Sequence, residues 1–197
     1  MSESAKESLR KQFILRRQQS SASARAAMSL TVARNAVELP EIASARGVNI
    51  YIPMPLKAEL DTLPLIERLL GMNKIVTVPI VKGSELVSAQ FHSSAELQAS
   101  PLGNPQPRHP EPADESLIDA VVIPLLAVDR KGCRLGFGKG YYDRFLARLS
   151  DLGYRPCRIG LAFSFQMTDF ITPDPWDQNL DILVHEQGAV HFSNHFH

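Results

Sequence analysis

An uninterrupted apolar run, AVVIPLLAV at 120–128, constrains the fold more than any other segment. A strand without polar alternation has to be covered on both faces, which is typical of central strands in a parallel α/β sheet. Further runs rich in β-branched residues predict strands at 48–52, 74–79, 85–91, 157–163 and 181–184. Helical patterns lie between them at 3–19, 22–38, 63–70 and about 141–150. This alternation predicts an open, mostly parallel sheet with helices on both faces.

The composition is that of a soluble globular protein. Its 197 residues are 44% hydrophobic, and 21 basic residues balance 21 acidic ones, so charge indicates neither a nucleic-acid nor a membrane partner. No apolar run approaches the roughly 18 residues of a membrane span. The two cysteines, Cys133 and Cys157, favour a reduced, cytoplasmic protein. The acid-free stretch 8–37 resembles a targeting peptide, but Leu9 and Phe13 favour a folded helix instead.

A proline-rich segment at 100–115 interrupts the alternation. It holds five of the 14 prolines, which excludes a helix and a central strand there. It is either a plain linker or an ordered loop lying across a pocket. Residues from about 190 to 197 are expected to form a C-terminal tail. The histidines near that end match no metal-binding spacing: His185, His191, His195 and His197.

The segment RLGFGKGYYDR at 134–144 carries the strongest functional signal. Its three glycines permit positive φ angles and let backbone N–H groups approach a ligand closely. A helix beginning near Tyr141 would direct its positive dipole end to the same place. Arg134 and Lys139 add positive charge. Together these features predict a polyphosphate site at the carboxyl edge of the sheet, with Asp143 placed to hold Mg²⁺.

Two familiar phosphate-binding signatures do not match this segment. A P-loop requires glycine and then serine or threonine where this chain has Cys133 and Gly140. The dinucleotide fingerprint fails because Tyr141 occupies the place of its third glycine. On these residues alone, a flexible turn with solvated charges is the alternative interpretation.

The segment and its flanks resemble the 5-formyltetrahydrofolate cyclo-ligase (methenyltetrahydrofolate synthetase) family. Matching segments follow in the same order along nearly the whole chain: Lys6 and Arg10, then Glu59, Asp61 and Thr62, then Val78 and Pro79, and finally Asp177, Asp181, Glu186 and Gly188. The matches around the glycines are Asp119, Pro124, Asp129, Gly132, Arg134, Leu135, Gly136, Gly138, Gly140, Tyr141, Tyr142 and Asp143. The resemblance implies a Rossmann-like, single three-layer domain over residues 1–197.

The resemblance also implies a reaction. Members of the family convert 5-formyltetrahydrofolate, ATP and Mg²⁺ to 5,10-methenyltetrahydrofolate, ADP and phosphate, by phosphorylating the formyl oxygen. Arg134 and Lys139 would be the catalytic residues that stabilise charge during phosphoryl transfer. The residues implied to bind ATP are Lys6, Arg10, Arg134, Leu135, Gly136, Phe137, Gly138, Lys139, Gly140, Tyr141 and Tyr142.

By the same resemblance, Glu59 would hold the pterin, with Met54 and Tyr141 beside it. Leu102 stands where the family often has an aromatic side chain against the folate. Asp143 and Asp177 match the positions that bind Mg²⁺.

Two other functions remain open at the level of sequence. One is a non-catalytic folate- or nucleotide-binding regulator on the same fold. The other is a different phosphoryl-transfer enzyme, because a fold does not by itself determine a function. The expected partners are small molecules, and a monomer is the expected state.

Overall fold

The computed structural model describes residues 3–99 and 105–192. The helices are α1 (Glu3–Gln19), α2 (Ala22–Val37), α3 (Pro40–Ser44), α4 (Leu63–Gly71) and α5 (Tyr141–Asp151). The strands are β1 (Gly47–Ile50), β2 (Ile75–Lys82), β3 (Glu85–Gln90), β4 (Leu97–Ala99), β5 (Pro105–Pro107), β6 (Ile118–Ile123), β7 (Ala127–Val128), β8 (Arg134–Leu135), β9 (Cys157–Leu161), β10 (Ile182–His185) and β11 (Gly188–His191).

Seven strands form a central sheet in the order β11-β10-β9-β6-β1-β2-β3. The five inner strands pair in parallel, and β11 and β3 close the two edges in antiparallel pairing. The predicted fold class, an open and mostly parallel α/β sheet, is therefore confirmed. β11 extends to His191, so it includes the first residues of the predicted tail.

Alternate residues of β6 point into two separate cores. Ala120 and Val122 pack in a cluster with residues of α2 and α4, whereas Val121 and Ile123 pack with α5. Because successive strand residues face opposite sides of a sheet, helices cover both faces, and the structure has three layers.

The predicted single strand over 120–128 is wrong. β6 ends at Ile123, directly before Pro124, and the chain then forms β7, which pairs with β8 in a small antiparallel ribbon outside the central sheet. Proline has no N–H to donate to the ladder, so the apolar run is divided at that residue. Residues 126 and 127 of the apolar run are buried in a different hydrophobic cluster, outside the central sheet.

That cluster attaches α1 to the ribbon. Phe13 of α1 packs with Leu126, Ala127 and Leu135, and it is only 2% exposed. Helix α1 is thereby placed beside the segment that leads into the glycine-rich loop.

The described part of the proline-rich segment is ordered along the edge of the sheet. β5 pairs with β4 outside the central sheet. Beyond it, Gln90 N–H donates to Glu111 O at 2.8 Å, and Ala113 N–H donates to Ser88 O at 3.0 Å. These bonds cover the free edge of β3. A plain linker is thus excluded for 105–115, and a loop across a pocket stays a prediction.

Across residues 3–99 and 105–192, every helix is too short or too polar to cross a membrane.

Candidate active site

The glycine-rich loop connects β8 to α5. Gly138 and Gly140 have φ angles of +83° and +63°, in the left-handed region that favours glycine. Gly140 is the residue that caps the beginning of α5. The unpaired N–H groups of the first helical turn therefore follow the loop directly, as an anion-binding site requires.

Arg134 and Asp143 are neighbours in this loop region. Arg134 Nη2 donates to Asp143 Oδ1 at 2.7 Å, and both side chains are largely buried. The backbone N–H of Gln178 donates to the same oxygen at 3.1 Å. Arg134 Nε is buried and has no hydrogen-bond partner in the described part of the chain. One arginine donor thus remains available to a ligand.

Helix α1 places Lys6 beside an acidic pair, Asp174 and Asp177. Lys6 is 5% exposed, and its Nζ lies 2.6 Å from Asp174 Oδ2 and 3.7 Å from Asp177 Oδ2. Burial lowers the pKa of the Lys6 ammonium, but the hydrogen bond to Asp174 and the charge of Asp177 outweigh it, so the pKa is raised. Lys6 is a fixed positive charge here. Sequence analysis missed Asp174, although the Asp-x-x-Asp spacing of the turn was available as a signal.

Arg10 lies against the glycine-rich loop. Its Nε donates to Gly136 O at 3.2 Å. A Cβ added at Gly138 would lie 3.1 Å from the Arg10 guanidinium carbon. Gly138 is thus required both for its φ angle and for the close approach of Arg10. Lys139, the next residue, is exposed and extends from the same loop.

Glu59 marks the opposite end of the site. It is buried after β1, and its Oε2 accepts from Met54 N–H at 2.8 Å. Its Oε1 is buried without a partner among the described residues. Burial raises the pKa of Glu59, opposed by the Met54 hydrogen bond and the charge of Arg17. An unpaired, buried acceptor of this kind is suited to the N–H groups of a ligand.

The two tyrosines at the start of α5 have different surroundings. The Tyr142 hydroxyl is buried without a partner in the described chain, and burial and the nearby charge of Glu59 raise its pKa. The Tyr141 ring is partly exposed and lies 5.3 Å from the Arg144 guanidinium. The structure thus brings Tyr142 close to Glu59. A position of Tyr141 between folate and phosphates stays a prediction.

Arg17, also on α1, is a site residue that sequence analysis missed. It is 2% exposed, and its guanidinium lies 5.8 Å from the centre of the Phe137 ring. Burial lowers the pKa of Arg17, and the opposing charges of Glu59 and Tyr51 offset this lowering only in part. The sequence did contain a signal for Arg17. It continues the series of Lys6 and Arg10, with successive helical spacings of four and seven residues, which place the three side chains along one side of α1.

Two predicted ATP-binding residues have structural contacts. Leu135 is buried in the cluster that holds α1, and Phe137 packs against that cluster. Lys57 Nζ lies 4.4 Å from the centre of the Phe137 ring. Phe137 therefore connects the glycine-rich loop to the segment before Glu59. Leu102 lies outside the described residues.

The carboxylates fit a magnesium ion that is shared with a nucleotide. The contacts recorded for Asp143 use Oδ1 and those for Asp177 use Oδ2, so each carboxylate keeps a second oxygen for a cation. Within residues 3–99 and 105–192, no cluster of three or more potential metal-ligating side chains is present. Mg²⁺ prefers one or two carboxylates completed by water and phosphate oxygens, so this pair suits it.

Two other family-matching aspartates lie at the opposite, amino edge of the sheet. They line a groove of about 830 Å³, where Asp119 pairs with Arg46 at 3.0 Å and Asp181 pairs with Arg158 at 2.6 Å. Both also accept backbone N–H groups, from Arg46 and Arg158. Both therefore stabilise the amino ends of strands.

The sequence model of the 5-formyltetrahydrofolate cyclo-ligase family matches residues 2–186. The chain belongs to this family. The resemblance in the glycine-rich loop is therefore confirmed, and so is the prediction that the chain is an enzyme of the ligase class.

Curated cyclo-ligases from distant organisms resemble the chain. The Escherichia coli 5-formyltetrahydrofolate cyclo-ligase is 29% identical over 80% of this chain and 87% of its own length. The mouse protein of that name is 28% identical over 95% of this chain and 96% of its own length. The Mycoplasma pneumoniae protein is 46% identical, but over 70 residues, and the matched part spans about two fifths of that relative, 40% of its length.

Two solved structures of methenyltetrahydrofolate synthetases share the fold. The Aquifex aeolicus protein superposes with a TM-score of 0.82 at 33% identity, covering 98% of this chain and 95% of that one. The Mycoplasma pneumoniae protein gives a TM-score of 0.73 at 27% identity, covering 92% of this chain and 98% of that one. Family membership and fold are thus supported over nearly the whole cyclo-ligase chain.

Proposed function

We propose that this cyclo-ligase closes 5-formyltetrahydrofolate to 5,10-methenyltetrahydrofolate, with ATP converted to ADP and phosphate. The observation that carries the proposal is the unpartnered, buried Oε1 of Glu59, which shares one site with a cationic, glycine-rich loop. The carboxylate suits the amino pyrimidine edge of a pterin, and the loop suits a polyphosphate. A single ligand class would leave one half of this site without a role.

The reaction needs an activated formyl group. A formamide carbon is a poor electrophile, so the formyl oxygen first attacks the γ-phosphorus of ATP, and ADP leaves. N10 then attacks the formyl carbon and loses its proton, and phosphate departs with the former formyl oxygen. The product is the methenyl cation. The protein's task in the first step is to position the two substrates and to stabilise charge on the transferring group.

The loop residues supply that stabilisation. Lys139 extends from the exposed side of the loop, while Arg134 offers its unpartnered Nε and Arg10 lies over the glycines. Backbone N–H groups at the beginning of α5 complete the anion site. Asp143 and Asp177 would hold Mg²⁺, which neutralises phosphate charge when bound.

Absorbance near the boundary of the ultraviolet and visible ranges tests this function, because the methenyl product absorbs there and the formyl substrate does not. We expect an increase only when 5-formyltetrahydrofolate, Mg²⁺ and ATP are all present. Lys139→Ala and Asp143→Asn should each retain the fold and lower kcat/KM by about 10²- to 10³-fold, the usual effect of removing one group that stabilises transition-state charge.

Lys131→Ala is the matched control, since Lys131 is an exposed lysine in the preceding turn. We expect it to keep wild-type activity. Wild-type turnover in both site variants would contradict the assigned roles. Binding of both ligands without an absorbance change would favour the non-catalytic regulator, and failure to bind folate would favour another phosphoryl acceptor.

A further inference from the structure

Helix α1 extends along the whole site and presents side chains to it at helical intervals. Lys6, Arg10, Phe13 and Arg17 follow one another at spacings of four, three and four residues. At about 1.5 Å per residue, Lys6 and Arg17 are separated by roughly 16 Å along the helix. Lys6 contacts the acidic pair near the predicted metal site. Arg17 therefore lies roughly three helical turns from that acidic pair, and its guanidinium is 5.8 Å from the centre of the Phe137 ring.

The guanidinium of Arg17 is buried and incompletely paired. The residue is 2% exposed, yet Nε and Nη2 have no hydrogen-bond partner in the described part of the chain. Glu59 is close enough to affect it electrostatically, but Arg17 Nε and Nη2 and Glu59 Oε1 make no hydrogen bond with each other or with other described residues. A buried charge without full pairing destabilises a protein, and its unpaired N–H donors suit the acceptor atoms of a ligand.

Other unpaired polar atoms surround the same place. Within residues 3–99 and 105–192, seven buried side-chain nitrogen and oxygen atoms have no hydrogen-bond partner. Five of these seven belong to site residues: Arg17 Nε and Nη2, Glu59 Oε1, Arg134 Nε and the Tyr142 hydroxyl. Glu59 lies within electrostatic range of both Arg17 and Tyr142, and Arg134 lies within electrostatic range of Tyr142. They form one cluster with both donors and acceptors unfilled.

The chemistry of the reduced pterin matches this cluster. One edge of its 2-amino-4-oxopyrimidine ring presents two N–H donors, on the 2-amino group and N3, followed by the carbonyl oxygen on C4. Glu59 supplies a carboxylate acceptor for the two donors. The neighbouring carbonyl needs a donor, which Glu59 does not provide. Arg17 has two N–H groups available, and the carbonyl is adjacent to N5, which carries the formyl group.

We propose that Arg17 is a further substrate-binding residue, which donates a hydrogen bond to the C4 carbonyl oxygen of the pterin while Glu59 holds the adjacent N–H groups. The inference rests on the proposed folate reaction and assigns the recognition of one ring atom to α1. The helix then contacts both substrates, with Lys6 and Arg10 at the nucleotide and Arg17 at the pterin.

This role predicts effects of opposite sign on stability and affinity. Arg17→Met removes the unpaired charge and fills a similar volume with apolar atoms. The ligand-free variant should therefore melt at a temperature equal to or above that of the wild type. Its affinity for 5-formyltetrahydrofolate should fall by about 10- to 100-fold, because a hydrogen bond from a charged group is lost. A purely structural arginine would produce a loss of stability instead.

Calorimetric titration with three ligands tests the assignment. The ligands are 5-formyltetrahydrofolate, the ring fragment 5-formyl-6-methyltetrahydropterin, and a non-hydrolysable ATP analogue with Mg²⁺. For Arg17→Met we expect the same fold loss with the folate and the fragment, since the contact is to the ring, and unchanged binding of the nucleotide. Arg16→Met is the control, as Arg16 is the adjacent but exposed arginine of α1. It should bind all three ligands as the wild type does.

Two results would overturn the inference. They are unchanged folate affinity in a folded Arg17→Met, or a loss confined to the full folate, which would place Arg17 at the glutamate tail. If Arg17→Met does not fold, Arg17→Lys decides, because it keeps the charge and loses the planar guanidinium. Wild-type folate affinity in Arg17→Lys would then refute the role. A wild-type protein that binds no folate would refute the proposed function and this inference together.

Discussion

Among the described residues, the buried Oε1 of Glu59 receives no hydrogen bond. Likewise, Arg17 Nε and Nη2 find no acceptor there, and the Tyr142 hydroxyl finds no partner. Each such atom loses water on folding without a full replacement, which costs free energy. A ligand that supplies complementary groups recovers that cost, so these residues favour binding over stability.

The pH dependence of stability should reveal the buried Glu59. Its pKa is raised by burial, so the folded protein binds more protons than the unfolded chain at pH values between the ordinary pKa of about 4.3 and the raised one. The free energy of unfolding that depends on Glu59 therefore falls as the pH rises from the ordinary pKa to the raised one. Glu59→Gln removes the effect. We expect it to be more stable than the wild type at pH 7 by about 1 kcal/mol, with the difference vanishing near pH 4, as measured by urea unfolding.

Glu67→Gln provides the control, because Glu67 is exposed on α4. Its stability difference from the wild type should stay within about 0.5 kcal/mol at both pH values. A Glu59→Gln variant less stable than the wild type at pH 7 would show that the carboxylate is better paired than the structure indicates.

At the scale of elements, α1 depends on its attachment to the β7–β8 ribbon. Phe13 is the residue of α1 that enters the cluster fully, at 2% exposure. Most of the stability of a helix in a protein comes from tertiary packing of one face, so the packing of this side chain determines where Lys6 and Arg10 lie. On the proposed function, nucleotide binding therefore depends on the packing of Phe13, which is not among the proposed substrate-binding residues.

Phe13→Ala should lower both stability and nucleotide affinity. Truncation of a buried phenylalanine typically costs about 3–5 kcal/mol. We expect a loss in this range by denaturant unfolding, together with weaker binding of an ATP analogue by titration. Leu15→Ala, at a position 57% exposed on the same helix, should change stability by no more than about 0.5 kcal/mol. Full nucleotide affinity in a destabilised Phe13→Ala would separate the helix from the nucleotide site.

At the scale of the whole molecule, Glu115 connects three distant segments. Its carboxylate accepts from Arg148 of α5 at 2.6 and 2.9 Å, and from Ser88 N–H of β3 at 3.2 Å. Glu115 also ends the proline-rich segment, so it joins that segment, an edge strand and the helix that follows the glycine-rich loop. These contacts involve none of the residues proposed to bind a substrate.

Glu115→Gln should therefore affect stability more than catalysis. Burial raises the pKa of Glu115, but the hydrogen bonds from Arg148 and Ser88 outweigh burial, and the pKa is lowered. A carboxylate whose pKa is lowered on folding stabilises the folded protein at pH values above its ordinary pKa of about 4.3. This stability is lost as the pH falls through the pKa of the folded state. Since Arg148 is partly exposed, we expect a loss of about 1 kcal/mol at pH 7. The difference from the wild type should decrease as the pH falls below the ordinary value and disappear below the lowered pKa of folded Glu115.

Unfolding at several pH values checks the Glu115 prediction, with kcat/KM measured in parallel. Glu111→Gln is a control at an exposed acid of the same segment. A stability difference that persists unchanged at acid pH would exclude an ionic origin, and a large loss of kcat/KM would place Glu115 in the catalytic machinery.

Local patterns in the sequence were sufficient for the main elements. The helices over 3–19 and 63–70, the glycine-rich turn and five of the six predicted strands lie within about three residues of their observed bounds, because caps, β-branched runs and glycines act through near neighbours. The strand predicted over 120–128 was wrong, and the short strands β4, β5, β7, β8 and β11 were not predicted. For the same reason, the carboxylates and cations of the loop could be identified as candidates before any contact was known.

Tertiary structure decided what those local patterns left open. Lys6 meets Asp174 across 168 residues of sequence, and Arg17 is buried near Glu59 with donors unfilled, which no local spacing specifies. The apolar run at 120–128 divides between two clusters because the chain leaves the sheet at Pro124. Sequence by itself determined which residues could form elements and bind ligands. Burial and long-range pairing depend on how the layers pack, so only the folded protein determined which polar atoms are paired and which are available to a substrate.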